Sequence, residues 1–158
     1  MREMTRDTAR TWAEISLGNL EHNYRALRAC APGSRFLATV KANGYGHGAV
    51  PVARRLTELG TDYLAVACLE EGAALRAAGI TAPILILGHT QPEFAAEVVA
   101  LGLTQAVFTH ELAEALSAAA GAAGARAKIH LKVDTGMSRL GVLDHAPPAA
   151  AREIAALC

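Results

Sequence analysis

The sequence has no surplus of charge of either sign and few aromatic residues. Its 158 residues include 15 lysines and arginines against 15 aspartates and glutamates, which gives a formal net charge of zero. A chain without a basic surplus offers no electrostatic footprint for nucleic acid or for an anionic membrane surface, so we expect a small-molecule partner. Aromatic residues make up only 4%. The core must therefore consist mainly of alanine, leucine, valine and isoleucine.

Cysteines and long apolar runs are also scarce. The three cysteines, Cys30, Cys68 and Cys158, are far apart and odd in number, which argues against a disulfide framework and excludes a CxxC motif. No zinc-binding pattern occurs, and we expect no metal. The start of the chain, MREMTRDTARTWAE, lacks the apolar core of a signal peptide, and no apolar run reaches the ~18 residues of a membrane span. These absences predict a cytoplasmic protein.

Short apolar segments alternate with alanine-rich segments of helical character. The apolar segments are 35–41, 63–68, 83–88, 105–109 and 128–133, and the helical ones are 49–59, 69–78, 92–100 and 111–120. Near-continuous apolar character is typical of strands buried on both faces of a parallel sheet. Four glycines, Gly60, Gly79, Gly102 and Gly121, follow the helical segments, where helices commonly end in a positive φ. The repeat predicts an α/β fold, either a doubly wound open sheet or a (β/α)8 TIM-type barrel.

Two further elements precede this repeat. Residues 17–29 predict a helix with Leu20, Tyr24 and Leu27 on one face, and residues 11–16, TWAEIS, predict a short strand. We therefore divide the chain into an N-terminal segment, 1–16, and a barrel-type domain, 17–158. A closed barrel has eight strands and typically ~250 residues. Because only about five βα units are visible and residues 153–158 lie inside a helical pattern, we expect an incomplete barrel.

The motif VKANGYGHG, residues 40–48, places Lys41 at the end of a predicted strand. Functional groups of parallel α/β proteins lie at the carboxyl ends of the strands. A lysine there either extends its charge to the surface or is desolvated, which makes its amine nucleophilic toward an aldehyde. The three glycines that follow and the next helix could hold a phosphate, with the Tyr45 hydroxyl as a further donor. The alternative is a plain tight turn.

A second motif, KVDTGMSRLG, occupies residues 132–141. Arg139 could bind a carboxylate or a cofactor oxygen through two parallel hydrogen bonds. Lys132 would repel Arg139 unless an anion or a modified lysine intervened. The alternative is that Asp134 caps the turn and pairs with Arg139 at the surface.

Together, these two motifs resemble those of the alanine racemase family. The resemblance extends to TWAEISLGNLEHNYRAL, YLAVACLEEGAALRAAGI and PILILG. It implies pyridoxal 5′-phosphate at the mouth of a (β/α)8 barrel, with Lys41 as the catalytic lysine that binds the cofactor aldehyde and moves the α-proton on the D-amino-acid side. It further implies Tyr45 as a ligand of the cofactor phosphate and Arg139 as a ligand of the cofactor's phenolic oxygen and of the substrate carboxylate. Lys132 matches a supporting lysine that is often carbamylated, and such an anion would hold Arg139.

The resemblance also implies an isomerase that interconverts L- and D-alanine, supplies D-alanine for peptidoglycan and works as a homodimer. The family's later barrel strands, its C-terminal β-domain, its opposing catalytic tyrosine and the arginine at the pyridine nitrogen cannot be placed in this sequence. We therefore expect an N-terminal part of such an enzyme that is inactive alone. Three alternatives stay open: a serine-preferring racemase domain, a non-catalytic barrel that binds pyridoxal phosphate, and a fragment that binds nothing.

Overall fold

Helices and parallel strands alternate along the chain in the computed structural model, which describes residues 11–143 together with Arg152 and Ile154. The strands of the main sheet are β1 Leu37–Thr39, β2 Tyr63–Val66, β3 Ile84–Ile86, β4 Thr104–Val107 and β5 Lys128–Leu131. The helices are α1 Leu17–Ala29, α2 Lys41–Tyr45, α3 Ala49–Glu58, α4 Leu69–Ala77, α5 Ala95–Ala100, which follows a 3-10 helix at Pro92–Phe94, and α6 His110–Ala122. No helix in these ranges is long and apolar enough to cross a membrane.

The main sheet has the strand order β1-β2-β3-β4-β5, and every neighbouring pair is parallel. Each strand thus pairs with the next strand in sequence. A doubly wound sheet reverses its order at a switch point, whereas a (β/α)8 barrel adds strands in one direction. The predicted α/β class is confirmed, and the strand order distinguishes the two architectures in favour of a partial barrel. A second, two-stranded parallel sheet pairs β6 Val133–Asp134 with β7 Val142–Leu143.

The core lies where the three middle strands meet the helices. Strands β2, β3 and β4 are buried almost throughout. The near-continuous apolar sequences of β2 and β3 predict this burial, whereas β4 also buries the polar residues Thr104 and Gln105. Strands β1 and β5 form the edges and are partly exposed, with Leu37 at 40% relative exposure. Tyr24 is the one aromatic side chain among the buried residues of the described part, so the expected aliphatic core is confirmed. Its fully buried members include Leu64, Val66, Ile84, Ile86, Val107, Leu75, Val98, Leu112 and Leu116.

Helix ends follow the sequence signals at most positions. The Ser16 hydroxyl accepts from the Asn19 N–H at 3.2 Å at the start of α1, which is typical of an N-cap. Three of the four predicted terminal glycines have a positive φ: 82° at Gly60, 81° at Gly79 and 60° at Gly102. The prediction for Gly121 was wrong. Helix α6 continues through it to Ala122, because the surrounding alanines favour the helix, and Gly124 takes the positive φ instead.

The predicted strand at residues 11–16 is also wrong, because these residues form no regular secondary structure. A strand is stable only when its backbone groups pair, and in the described ranges both sheets form without this segment. Ser16 instead caps α1, which begins at Leu17 as predicted. The division into segments 1–16 and 17–158 stays a prediction. Of the expected helical residues 153–158, the structure describes Ile154, which is helical and buried.

Candidate active site

The carboxyl end of β1 runs directly into a left-handed turn. Val40 is buried and continues the strand pairing, since its N–H donates to the Ala65 carbonyl at 2.8 Å. Lys41 follows and is half-buried. Residues 42–45 then have φ values of 50°, 53°, 65° and 54°. This conformation costs about 1–2 kcal/mol for each residue with a Cβ atom, so the turn persists only because surrounding contacts hold it.

Hydrogen bonds inside the loop supply part of that support. Five backbone N–H groups between residues 44 and 49 donate within the loop: Gly44 to Val40 O, Gly46 to Ala42 O, His47 to Gly44 O, Gly48 to Asn43 O and Ala49 to Asn43 Oδ1. Because these N–H groups are already bonded, the glycines do not present a row of open donors to a phosphate. The Tyr45 side chain, in contrast, is 60% exposed. Its hydroxyl is the more available phosphate donor at this loop.

A carboxylate that the sequence analysis did not single out also lies at the carboxyl ends of the strands. Glu71, in the first turn of α4, accepts from the Ala42 N–H through Oε1 and from the Ala67 N–H through Oε2, both at 2.7 Å. Ala42 follows Lys41, and Ala67 follows the last residue of β2. The sequence shows only two acidic residues at a helix start, which is common because the helix dipole favours them there. Nothing in that pattern distinguishes a bridging glutamate from a solvated one.

The second motif begins where β5 ends. The Lys132 N–H donates to the Val107 carbonyl at 2.9 Å, so pairing with β4 continues to this residue, and its side chain is half-buried. Buried Asp134 accepts through Oδ1 from the Gly136 N–H at 3.0 Å and the Ser138 N–H at 2.9 Å. These backbone N–H groups, with the charge of Lys132 as a smaller contribution, hold the pKa of the Asp134 carboxyl below its usual range. The expected turn cap is present.

Arg139 itself is exposed, and the described residues give it no carboxylate partner. The alternative in which Asp134 pairs with Arg139 is therefore wrong, since the Asp134 carboxylate is directed to backbone N–H groups of its own turn. An exposed guanidinium in the connection between β6 and β7 is available to bind an anion.

The two motifs lie at the carboxyl ends of the two edge strands. Lys41 and Tyr45 follow β1, Lys132 and Arg139 follow β5, and the strands β2 to β4 lie between them. No hydrogen bond or ion pair among residues 11–143 joins the first pair to the second. Because the carboxyl ends of parallel strands lie on the same side of a sheet, Lys41 and Lys132 lie at the same end of the partial barrel, and Tyr45 and Arg139 belong to the segments that follow them.

Comparisons with known proteins agree on one family. The model for the N-terminal domain of alanine racemase matches residues 15–158. The alanine racemase of Desulfovibrio desulfuricans is 55% identical over 132 residues, which cover 83% of this chain and 36% of that protein. The chain belongs to the alanine racemase family. It spans little more than a third of the length of this curated relative.

Solved structures place the fold in the same family. The alanine racemase of Clostridium difficile 630 superposes with a TM-score of 0.88 at 38% identity, covering 95% of this chain and 39% of that one. A histidine racemase from Leuconostoc mesenteroides superposes with a TM-score of 0.80 at 29% identity, covering 89% of this chain and 38% of that one. The family and the partial barrel that the motifs predicted are both confirmed. This alanine racemase-type fold is thus shared by proteins named for different amino acids.

Proposed function

We propose that this chain forms the cofactor-binding part of a pyridoxal 5′-phosphate-dependent alanine racemase, an isomerase that interconverts L- and D-alanine. The observation that carries the proposal is the position of Lys41. Lys41 is the first residue beyond the pairing of β1, and it is half-buried at the start of a left-handed turn. The chain that carries it belongs to the alanine racemase family. A lysine fixed in this way can present its amine to a ligand at the mouth of the barrel.

The chemistry of the side chains fits pyridoxal phosphate. The cofactor carries an aldehyde, a phosphate and a phenolic oxygen, and this end of the sheet offers an amine, a phenol and a guanidinium. We propose that Lys41 binds the aldehyde, that exposed Tyr45 donates to the phosphate and that exposed Arg139 donates to the phenolic oxygen. When bound, the cofactor links covalently to an amine and its ring takes up negative charge, which acidifies the Cα–H bond of an amino acid.

The amino group of the substrate would first replace Lys41 at the cofactor aldehyde, which breaks the bond to Nζ and frees the lysine amine. The free Lys41 amine then acts as the base on one face of the substrate. Its Nζ takes the proton from Cα of D-alanine, or returns it to form D-alanine, while Arg139 orients the substrate carboxylate. A carbamylated Lys132 would carry a negative charge and hold the Arg139 guanidinium in place. Racemisation needs a second base on the opposite face, which must protonate the carbon from the other side.

Neither other tyrosine of the chain is suited to be that second base. Tyr24 is 5% exposed and packs edge-on against Phe36 with ring centroids 5.3 Å apart. The Tyr63 hydroxyl forms a hydrogen bond with the Thr104 hydroxyl at 2.7 Å. We therefore propose that residues 1–158 alone bind the cofactor and exchange the α-proton but do not racemise. In the whole enzyme, a second subunit would supply the opposing base, so the active form is a homodimer.

The setting and the substrate follow from the same proposal. Such an enzyme is cytoplasmic and supplies D-alanine for peptidoglycan, without a nucleic-acid or membrane partner. The likeness to a histidine racemase supports keeping the side-chain preference open to other amino acids, including serine. A non-catalytic barrel that binds pyridoxal phosphate is less well supported, because it has no need of the exposed Arg139 in the connection after β6.

Hydrogen exchange at Cα tests the function. The protein is incubated with pyridoxal phosphate in deuterated water with either D- or L-alanine, and deuterium at Cα is measured by mass spectrometry together with the chirality of the alanine. We expect exchange in D-alanine that exceeds exchange in L-alanine, with retained chirality.

The Lys41→Ala variant should reduce the rate of exchange in D-alanine to that of the cofactor alone. Lys128→Ala, a change of an exposed lysine at the opposite end of β5, is the matched control. Equal exchange by wild type and Lys41→Ala would refute the role of Lys41, and formation of L-alanine would refute the proposed need for a second subunit.

A further inference from the structure

The two oxygens of the Glu71 carboxylate connect the ends of neighbouring strands. Each accepts one backbone N–H at 2.7 Å, from Ala42 beyond β1 and from Ala67 beyond β2. Such distances are typical of hydrogen bonds strengthened by a charge on the acceptor. The half-buried side chain therefore uses both oxygens to join two backbone segments that do not pair with one another at these residues.

The bond to Ala42 acts on the peptide group that carries the Lys41 carbonyl. Fixing the N–H of that group fixes the rotation about the Cα–C bond of Lys41, and with it the direction in which the lysine side chain leaves the backbone. Ala42 has a φ of 50°, an unfavourable conformation for alanine. The hydrogen bond from Ala42 to Glu71 forms only when the turn has this conformation, so it stabilises the turn and offsets the conformational cost at Ala42. The negative charge of the acceptor strengthens that bond.

The other end of the bridge is rigid. The Ala67 carbonyl accepts from the Gly88 N–H at 3.1 Å, so both sides of Ala67 are bonded. Gly88 approaches so closely that a Cβ atom there would lie 2.5 Å from the Ala67 oxygen. Glu71 itself is anchored by α4, whose Leu75 is 1% exposed in the core. The Glu71 carboxylate therefore holds the turn after Lys41 in a fixed position relative to the end of β2.

We propose that Glu71 is a positioning residue for Lys41, which holds the lysine in the direction needed to reach the cofactor aldehyde. The inference rests on the proposed role of Lys41 in binding pyridoxal phosphate. A glutamine at this position has the same shape but replaces one oxygen by an NH₂ group. In either orientation one of the two backbone N–H groups then faces another donor, so one of the two hydrogen bonds is lost.

The test compares Glu71→Gln with Glu70→Gln. Glu70 lies in the same first turn of α4 and is exposed, so both variants remove one negative charge from the same helix start. The first measurement is hydrogen exchange of the Ala42 and Ala67 amides in the protein without cofactor. The second is the rate at which pyridoxal phosphate becomes attached to Lys41, trapped with borohydride and quantified by mass spectrometry across a range of pH.

We expect Glu71→Gln to speed exchange at Ala42 or Ala67 by about tenfold or more and to slow attachment at Lys41 by about tenfold. Glu70→Gln should stay within about twofold of wild type in both measurements. Attachment at an unchanged rate in Glu71→Gln would overturn the positioning role. A wild-type protein that never attaches the cofactor to Lys41 would instead refute the proposed function, so the two failures are distinguishable.

A second variant covers the case in which Glu71→Gln does not fold. Glu71→Asp keeps the charge at the helix start but is one methylene shorter, so it cannot reach both N–H groups. We expect its rate of attachment at Lys41 to lie between the rates of wild type and Glu71→Gln. If Glu71→Gln does not fold, the expected rate for Glu71→Asp is about threefold below that of wild type. A folded Glu71→Asp protein that attaches the cofactor as fast as wild type would refute the inference.

Discussion

The backbone conformation of a few residues determines how the candidate site is presented. Residues 42–45 and Ser138 lie in the left-handed region, Gly136 has a φ of 130°, and all of them lie within four residues of Lys41 or Arg139 in sequence. L-amino acids avoid this region, and such conformations concentrate at functional sites, where surrounding contacts maintain them. The asparagine and aspartate of the two motifs supply these contacts, because Asn43 Oδ1 accepts from Ala49 and Asp134 Oδ1 accepts from Gly136 and Ser138.

Gly141 gives a direct test of this local geometry. It has a φ of 130°, and a Cβ atom there would lie 2.6 Å from the Asp134 nitrogen. We expect Gly141→Ala to lower the free energy of unfolding by about 2 kcal/mol or more, because backbone atoms must move. In Gly121→Ala nothing lies within 4 Å of the added atom, and the site is in α6, so the free energy should rise by about 0.5–1 kcal/mol. Urea unfolding measures the free energy of unfolding of both variants. Equal changes in the two variants would contradict this explanation.

Asp134 predicts how the second motif responds to acid. Because backbone N–H groups hold the pKa of its carboxyl below the usual value, the charged form stabilises the turn. This contribution is fully present above the unfolded-state pKa of about 3.9 and is lost as pH falls through the lower folded-state value. The amide resonances of Gly136 and Ser138 should shift below about pH 4. In Asp134→Asn the acid-dependent shift should be absent, and its persistence there would show that another group titrates.

At the scale of helices and strands, one arginine joins three elements at the end of the sheet opposite the candidate site. The half-buried Arg76 guanidinium donates to the carbonyls of Ile80 at 2.7 Å, Ala82 at 2.8 Å and Leu101 at 3.0 Å. These carbonyls precede β3 and β4, so Arg76 fixes the end of α4 against two connections. Burial lowers the pKa of the Arg76 guanidinium from its usual value.

Removing these bonds should weaken the fold. Arg76→Met leaves the three carbonyls without this donor, and we expect the free energy of unfolding to fall by about 2–3 kcal/mol. The control is Arg54→Met, because Arg54 donates to the Ala78 carbonyl at 3.3 Å from an exposed position and should contribute less than about 0.5 kcal/mol. Thermal or urea unfolding measures both. A loss no larger for Arg76→Met than for Arg54→Met would contradict this role.

Elements with strong local signals could be predicted from the sequence, and those that depend on distant contacts could not. The periodicity of α1 and the Leu17 and Ala29 boundaries follow from local residue preferences, and the buried strands follow from runs such as PILILG. Residues 11–16 looked like a strand because their composition favours extended backbone, but a strand also needs a partner. The bridge from Glu71 to Ala42 spans 29 residues, so no local pattern could reveal it.

At the scale of the whole molecule, strand order determines how the candidate site is assembled. The predicted residues divide between the two edge strands, β1 and β5, which are separated in the sheet by β2, β3 and β4. The sequence motifs named the chemistry of each half but not this arrangement, since both a doubly wound sheet and a barrel were compatible with the repeat. The consecutive parallel order shows that each half lies at an edge of a partial barrel.

The central claim is that Lys41 is the amine that holds pyridoxal phosphate, and the chain allows a sharp measurement because it contains three lysines, Lys41, Lys128 and Lys132. The protein is incubated with the cofactor, reduced with borohydride, digested and mapped by mass spectrometry. We predict that the cofactor is found on Lys41, and that a Lys41→Arg variant retains none while Lys128→Arg is labelled like wild type. Labelling spread over Lys128 and Lys132, or undiminished in Lys41→Arg, would contradict the account.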